Sequence, residues 1–304
     1  MMKQIVTGGA GFIGSHLIDR LVADGVDEIV VIDNMFRGSV DRIADHLASR
    51  RVTLITGDVR DNDLLGRTFA DADTIYHLAA QSNVMGAVSD IGYSFGSNVI
   101  GTFNVLQAAA TNNVRRVVFT SSREVYGEVR ELPVREDHPL DAKNSYGASK
   151  AAGEIYCRVF QSTYGLETAI VRLANVYGPR DIGRVIPLWL GWAQKGQPLT
   201  VYGGQQVIDF VHVDQVVDAL VRVSTADVAG TPINIGSGQG TPILDLAKRV
   251  VAAVGSEARL DLQPARSVEV AKFTAEVSRM RALLGMEPAA DPLYGLADLA
   301  KLDW

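Results

Sequence analysis

The 304-residue sequence holds a single cysteine, Cys157. One thiol allows no intrachain disulfide and no thiolate zinc cluster, and such scarcity fits a reducing compartment. Cys157 sits among Ile155, Val159 and Phe160 in a helix-like stretch, the setting of a small buried hydrophobe. There is no basic surplus either: the formal net charge is −6. That argues against nucleic acid or an anionic membrane as a partner, because no excess cation is present to neutralise phosphates. The five histidines, at 16, 46, 77, 138 and 212, show no pair at metal-ligand spacing, so no metal is expected. No apolar run reaches the ~18 residues that a membrane span needs. The richest one, Val185 to Ala193, is too short and follows Arg184. The N-terminus enters an apolar strand almost at once, which leaves no room for a signal peptide, so the expected location is the cytoplasm.

What is present is an ordinary globular composition, 47% apolar and 21% charged, with length enough for one large or two modest domains. The first half alternates short β-branched runs with amphipathic segments. Strands are expected at Lys3–Thr7, Glu28–Ile32, Val52–Thr56, Thr74–His77, Arg116–Thr120 and Leu166–Arg172. Helices are expected between them, the longest at Gly92–Asn112 and Tyr146–Tyr164. Such alternation means βαβ units and an α/β fold: a Rossmann-type doubly wound parallel sheet. After Asn175 the pattern becomes irregular, which suggests a smaller C-terminal α/β substrate lobe. The expected division is 1–174 for dinucleotide binding and 175–304 for substrate, with 207–235 a candidate to return to the first sheet. Ser121–Ser145, polar and holding Pro133 and Pro139, reads as a loop over the strand ends, where ligands of this fold class lie.

The run Thr7-Gly8-Gly9-Ala10-Gly11-Phe12-Ile13-Gly14 joins the first strand to the first helix. Glycines 8, 11 and 14 suit a tight turn whose N–H groups point at a pyrophosphate. Asp33 ends the second strand, where a carboxylate accepts from both ribose hydroxyls and repels a 2′-phosphate, so NAD is favoured over NADP. Arg37, just beyond, reads as a solvated loop charge. Asp58 follows the third strand and is expected to accept from the adenine amino group, although capping the next helix is the other use of an acid there. Tyr146 and Lys150 stand at i, i+4 and share a helix face. A free tyrosine is a poor base, and its phenolate needs ~3–4 pKa units of stabilisation, roughly 4–5 kcal/mol. An ammonium on Lys150 beside a positive nicotinamide ring would supply that. Ser121-Ser122 ends the fifth strand and offers a hydroxyl to the same substrate oxygen. No Gly-x-Ser-x-Gly elbow surrounds it, so a serine nucleophile is disfavoured.

Together with His77-Leu78-Ala79-Ala80, Asn98-Val99-Ile100-Gly101-Thr102, Val125-Tyr126-Gly127, Arg172 to Pro179 and Asp209 to Asp214, these motifs run across nearly the whole chain. Their order resembles the extended short-chain dehydrogenase/reductase family, in its NAD-dependent nucleotide-sugar epimerase/dehydratase branch. The resemblance implies that Tyr146 is general base and acid on a sugar 4-hydroxyl, that Lys150 lowers its pKa and holds the nicotinamide ribose, and that Ser122 is the hydroxyl partner. It implies NAD contacts at Gly8, Gly11, Phe12, Ile13, Gly14, Asp33, Asn34, Gly38, Ser39, Asp58, Val59, Leu78, Ala79 and Ala80. It implies nucleotide-sugar contacts at Val84, Ser122, Arg123, Asn175, Arg184, Val185, Val201, Tyr202 and Arg266. Two departures stand out. Many members carry Arg before the Asp-Phe of the last motif, and here it is Ile208. Dehydratases carry an Asp-Glu acid/base pair after the catalytic hydroxyl, and here it is Arg123-Glu124. Glu124 could still remove a C5 proton, but Arg123 cannot act as the acid. The leading expectation is a UDP-sugar 4-epimerase of the UDP-glucose/UDP-galactose type, and the alternative is a dehydratase or decarboxylase using Glu124. A homodimer is also implied, paired through the two long helices, with Phe103, Leu106, Tyr156 and Phe160 as candidates for its apolar face.

Overall fold

The computed structural model describes residues 2–304. Its strands in chain order are β1 (Lys3–Thr7), β2 (Glu28–Asp33), β3 (Val52–Thr56), β4 (Ala72–His77), β5 (Arg116–Ser122), β6 (Glu167–Leu173), β7 (Asn175–Tyr177), β8 (Leu199–Tyr202), β9 (Val207–His212), β10 (Pro232–Ile235), β11 (Gly240–Pro242), β12 (Leu260–Gln263) and β13 (Lys272–Phe273). Seven of them form one parallel sheet in the order β10-β6-β5-β4-β1-β2-β3. The order reverses beside β1, the switch point at which such sheets open a crevice for ligand.

Strand pleating divides the core. Ile5, Val30, Ile75, Val117 and Ile170 face one side, packing with Leu65, Phe69, Val105 and Phe160. Their neighbours Val6, Val31, Tyr76, Val118 and Val171 face the other, against Leu17, Ile18, Val217 and Leu220. Both faces are covered, so the strands are apolar throughout rather than alternating.

The remaining strands form smaller sheets. β9 pairs with β7, β11 and β13, and β8 pairs with β12. A third core, with Trp189, Leu190, Phe210 and Leu246, lies beneath them. Asp209, fully buried, stitches this region together by accepting from the N–H groups of Ser237, Gly238 and Ala275. The chain crosses back after β9: β10 joins the main sheet against β6, so a strand from the second half completes the first sheet.

The expected helix at Gly92–Asn112 is one helical run, Ile91 to Thr111, interrupted by a π turn at Gly96–Ile100. That turn carries Asn98, which holds the backbone of Gln81 and the hydroxyl of Ser149. Two of the four residues expected on a dimer face are corrected. Leu106 and Phe160 are buried in the chain's own core, because they lie on the sheet side of their helices. The exposed apolar residues of these helices are Ile91, Phe95, Ile100, Ile155, Tyr156, Val159 and Tyr164.

Candidate active site

A cleft of about 810 Å³ runs from the carboxyl ends of the parallel strands to the smaller sheets. Its cofactor end is the turn after β1. Gly8 has φ +74°, and a Cβ there would stand 2.7 Å from the Ala79 nitrogen. A Cβ on Gly14 would stand 2.3 Å from the Gly8 carbonyl oxygen. Only glycine lets these backbones meet. The helix Phe12–Ala23 that follows has no side-chain cap at Gly11, so its first N–H donors are left for a ligand at the cleft.

Asp33 is buried at the end of β2, where its carboxylate accepts from the N–H groups of Ala10 and Met35. Burial pushes its pKa up, against those two bonds and the charge of Arg42. These features fit a dinucleotide whose pyrophosphate lies on the helix start and whose ribose meets Asp33. Leu78, Ala79 and Ala80 line the same wall. Below them His77 accepts from Thr7 Oγ1 at 2.7 Å and meets Thr102 Oγ1 at 2.9 Å. Thr102 already donates to the Asn98 carbonyl, so the His77 proton is on Nε2. Full burial lowers the His77 pKa to about 3 and keeps the ring neutral.

The chemical end is built on β5 and the helix Ser145–Tyr164. Pleating sends the two serines to opposite sides. Ser121 donates to Glu154 at 2.6 Å, within a buried pair that Glu154 makes with Arg172. Ser122 accepts from the Glu124 N–H at 3.2 Å and acts on Tyr146. Burial, with the Glu124 charge, raises the pKa of the Tyr146 phenol, and Arg184, a hydrogen bond with Ser122 and Arg123 offset this only in part. Lys150 is buried one turn on. Its Nζ donates to the Thr120 carbonyl at 2.8 Å and lies 4.9 Å from the Phe119 ring centre. Burial lowers its pKa to about 8.

Glu124 is tied on both oxygens. Arg123 Nη2 holds Oε1 at 2.9 Å, and Asn144 Nδ2 donates to Oε2 at 2.8 Å. Asn144 also caps the helix of Tyr146, its Oδ1 accepting from Gly147 N–H at 2.9 Å. Sequence reading passed over Asn144, although an Asn at the start of a helix-like run is a capping signal. It also passed over Thr120 and the buried Asp181, whose pKa burial raises to about 6.

The cleft wall brings together Gly8, Gly11, Phe12, Ile13, Gly14, Asp33, Asn34, Gly38, Val59, Leu78, Ala79 and Ala80 with Val84, Ser122, Arg123, Glu124, Tyr146 and Lys150. Asn175, Arg184, Val185, Tyr202 and Arg266 line its far part. Arg266 stacks on Tyr202, its guanidinium carbon 3.7 Å from the ring centre. Three expected residues do not reach the wall. Val201 is fully buried in the core, because alternation on β8 turns Thr200 and Tyr202 to the cleft instead. The Asp58 carboxylate is held by Arg60 and Asn34, with the Arg60 bonds lowering its pKa to about 2. Ser39 bonds to the Ala10 carbonyl and to Asp41. Arg37, expected to be a solvated charge, lines the cleft, is half-buried and donates to the Ile182 carbonyl.

The family model for the NAD dependent epimerase/dehydratase family matches residues 4–236. UDP-glucose 4-epimerase of Mycolicibacterium smegmatis is 34% identical over 97% of this chain and 96% of its own length. UDP-glucuronic acid decarboxylase 2 of Arabidopsis thaliana is 33% identical over 99% of this chain and 68% of its own. Among solved structures, the dTDP-glucose 4,6-dehydratase of Streptomyces venezuelae with NAD bound superposes with a TM-score of 0.95 at 32% identity, covering 99% of this chain and 96% of that one. Epimerase, decarboxylase and dehydratase thus stand at nearly equal identity. The chain belongs to the NAD-dependent epimerase/dehydratase family, and its cofactor is NAD.

Proposed function

We propose that the chain is a UDP-sugar 4-epimerase of the UDP-glucose/UDP-galactose type. One observation carries this reading: the Glu124 carboxylate is engaged by Arg123 and Asn144 on both oxygens. A dehydratase or decarboxylase needs a second base or acid at the sugar beyond C4. Glu124 would have to leave two partners in a buried site to serve as one.

Epimerisation asks less of the protein. Bound NAD supplies the hydride acceptor and donor. Tyr146 takes the proton of the sugar 4-hydroxyl as the 4-keto sugar forms, and returns it after the sugar has turned over. Ser122 hydrogen-bonds the same oxygen. The Arg184 charge and the Ser122 hydroxyl both act on the phenol in the direction that favours its ionisation. Lys150, fixed by Thr120, holds the nicotinamide ribose and adds positive charge to the buried site. Asn175, whose Oδ1 is buried without a partner among the described residues, and the Arg266–Tyr202 stack hold the nucleotide end of the substrate.

The second reading, a dehydratase or decarboxylase, draws on Glu124 lining the cleft beside Ser122. The two separate on product. Incubation with UDP-, dTDP- and GDP-sugars, followed by mass and stereochemical analysis, should give C4 inversion with unchanged mass. Loss of water or CO₂ would reject the epimerase. The chain also pairs as a homodimer through Ile100, Ile155, Tyr156 and Val159, an apolar patch spanning its two long helices.

A further inference from the structure

Arg123 holds a donor that no described residue uses. Its side chain is 11% exposed and lines the cleft directly after Ser122. Nη2 is committed to Glu124 at 2.9 Å, and the guanidinium carbon lies 5.8 Å from the centre of the Phe273 ring. Nη1 is buried and meets no acceptor among the described residues. A buried N–H without an acceptor is costly, and at a cleft wall the missing acceptor comes from the ligand.

The charge around it says which kind of acceptor. Glu124 already balances Arg123, and Asn144 adds a neutral donor on the far oxygen. The Arg123–Glu124 pair is therefore neutral in itself. A ligand carboxylate brought to Nη1 would gain no unbalanced cation from this pair and would stand beside the Glu124 carboxylate, a like charge in a poorly solvated place.

We propose that Arg123 Nη1 recognises an uncharged oxygen on the sugar ring, a hydroxyl or an amide carbonyl, and so selects neutral hexoses over uronic acids. This rests on the reading of the substrate as a nucleotide sugar and deepens it. The Arg123–Glu124 pair is a specificity element: one arm fixes the fork, and the other reads the sugar.

Calorimetry on the NAD-loaded protein tests it independently of turnover. UDP-glucose, UDP-N-acetylglucosamine and UDP-glucuronate are titrated into the wild type, into Arg123→Lys, which keeps the charge facing Glu124, and into Arg123→Met/Glu124→Gln, which removes both charges together. The wild type should bind at least one neutral sugar about tenfold or more tighter than UDP-glucuronate. Both variants, folded by circular dichroism, should lose most of that ratio. Equal or tighter binding of UDP-glucuronate, binding of none of the three, or a ratio unchanged in both variants overturns the proposal. Neutral sugars that bind with the expected ratio but are not converted would leave this inference standing and defeat the epimerase reading instead.

Discussion

Asn144 donates to the Glu124 carboxylate at 2.8 Å while its own oxygen caps the helix that carries Tyr146. One side chain thus fixes both the helix start and the acid beside it. Asn144→Ala removes three interactions: the cap, the bond to Glu124 and a longer donation to the Val268 carbonyl at 3.2 Å. The cap is worth about 1 kcal/mol, and the bond to a charged, buried acceptor about 1.5–3 kcal/mol. Asn144→Ser restores only the cap. Urea unfolding should show the serine variant recovering about 1 kcal/mol of the alanine loss at an unchanged m value. Full recovery by serine would mean that the Glu124 bond contributes nothing.

Lys150 is a charge held in a buried site at a cost to stability. Its pKa is lowered to about 8, below the value in the unfolded chain. The folded protein therefore holds that proton less tightly. The cost is fully present below about pH 8 and is relieved as pH rises toward about 10.5. Lys150→Met should stabilise the cofactor-free protein at pH 7 by up to about 3 kcal/mol, at 1.36 kcal/mol per unit, less about 1 kcal/mol for the Thr120 carbonyl left without its donor. The gain should vanish near pH 10.5, and turnover should be lost. Thermal melts at pH 7 and pH 10 read the first part, and a lower melting temperature at pH 7 would contradict it.

Much of this was legible in local sequence pattern. The parallel strands are continuous β-branched runs, and the glycine spacing and the Tyr146 to Lys150 step are short-range signals. What was not legible depends on distant partners. β7, β10, β12 and β13 are two to four residues long and exist only through pairing with β9, β6 and β8. The helix Val84–Ser89 gives no periodic signal over its six residues. Pleating, not composition, decides that Ser121 turns its hydroxyl to Glu154 while Ser122 acts on Tyr146, and that Tyr202 rather than Val201 faces the cleft. That Lys150 is anchored on Thr120, thirty residues away, follows from β5 ending under the helix.

Asp181 gives a second pH dependence of known sign. Burial outweighs Arg184, Arg37 and Arg42 and raises its pKa to about 6. The folded state therefore prefers the protonated acid. That stability is fully present below about pH 4 and is lost as pH rises through about 6. Asp181→Asn should raise the melting temperature of the cofactor-free protein at pH 8 and leave it unchanged at pH 4. An equal effect at both pH values would refute the assignment.

The proposed dimer would rest on Val159, 43% exposed, with Ile155 and Tyr156 beside it. Light scattering should give a dimer mass at micromolar concentration, and Val159→Glu should give a monomer, because a carboxylate in an apolar interface stays unpaired. A monomeric wild type would end the idea.

In the proposed reaction Tyr146 works on the C4 hydroxyl while Glu124 leaves C5 alone. Turnover of UDP-glucose in D₂O tests this directly. The expected product is UDP-galactose with no deuterium on carbon, and Tyr146→Phe should give no product. Deuterium at C5 or C6, or a dehydrated product, would contradict it.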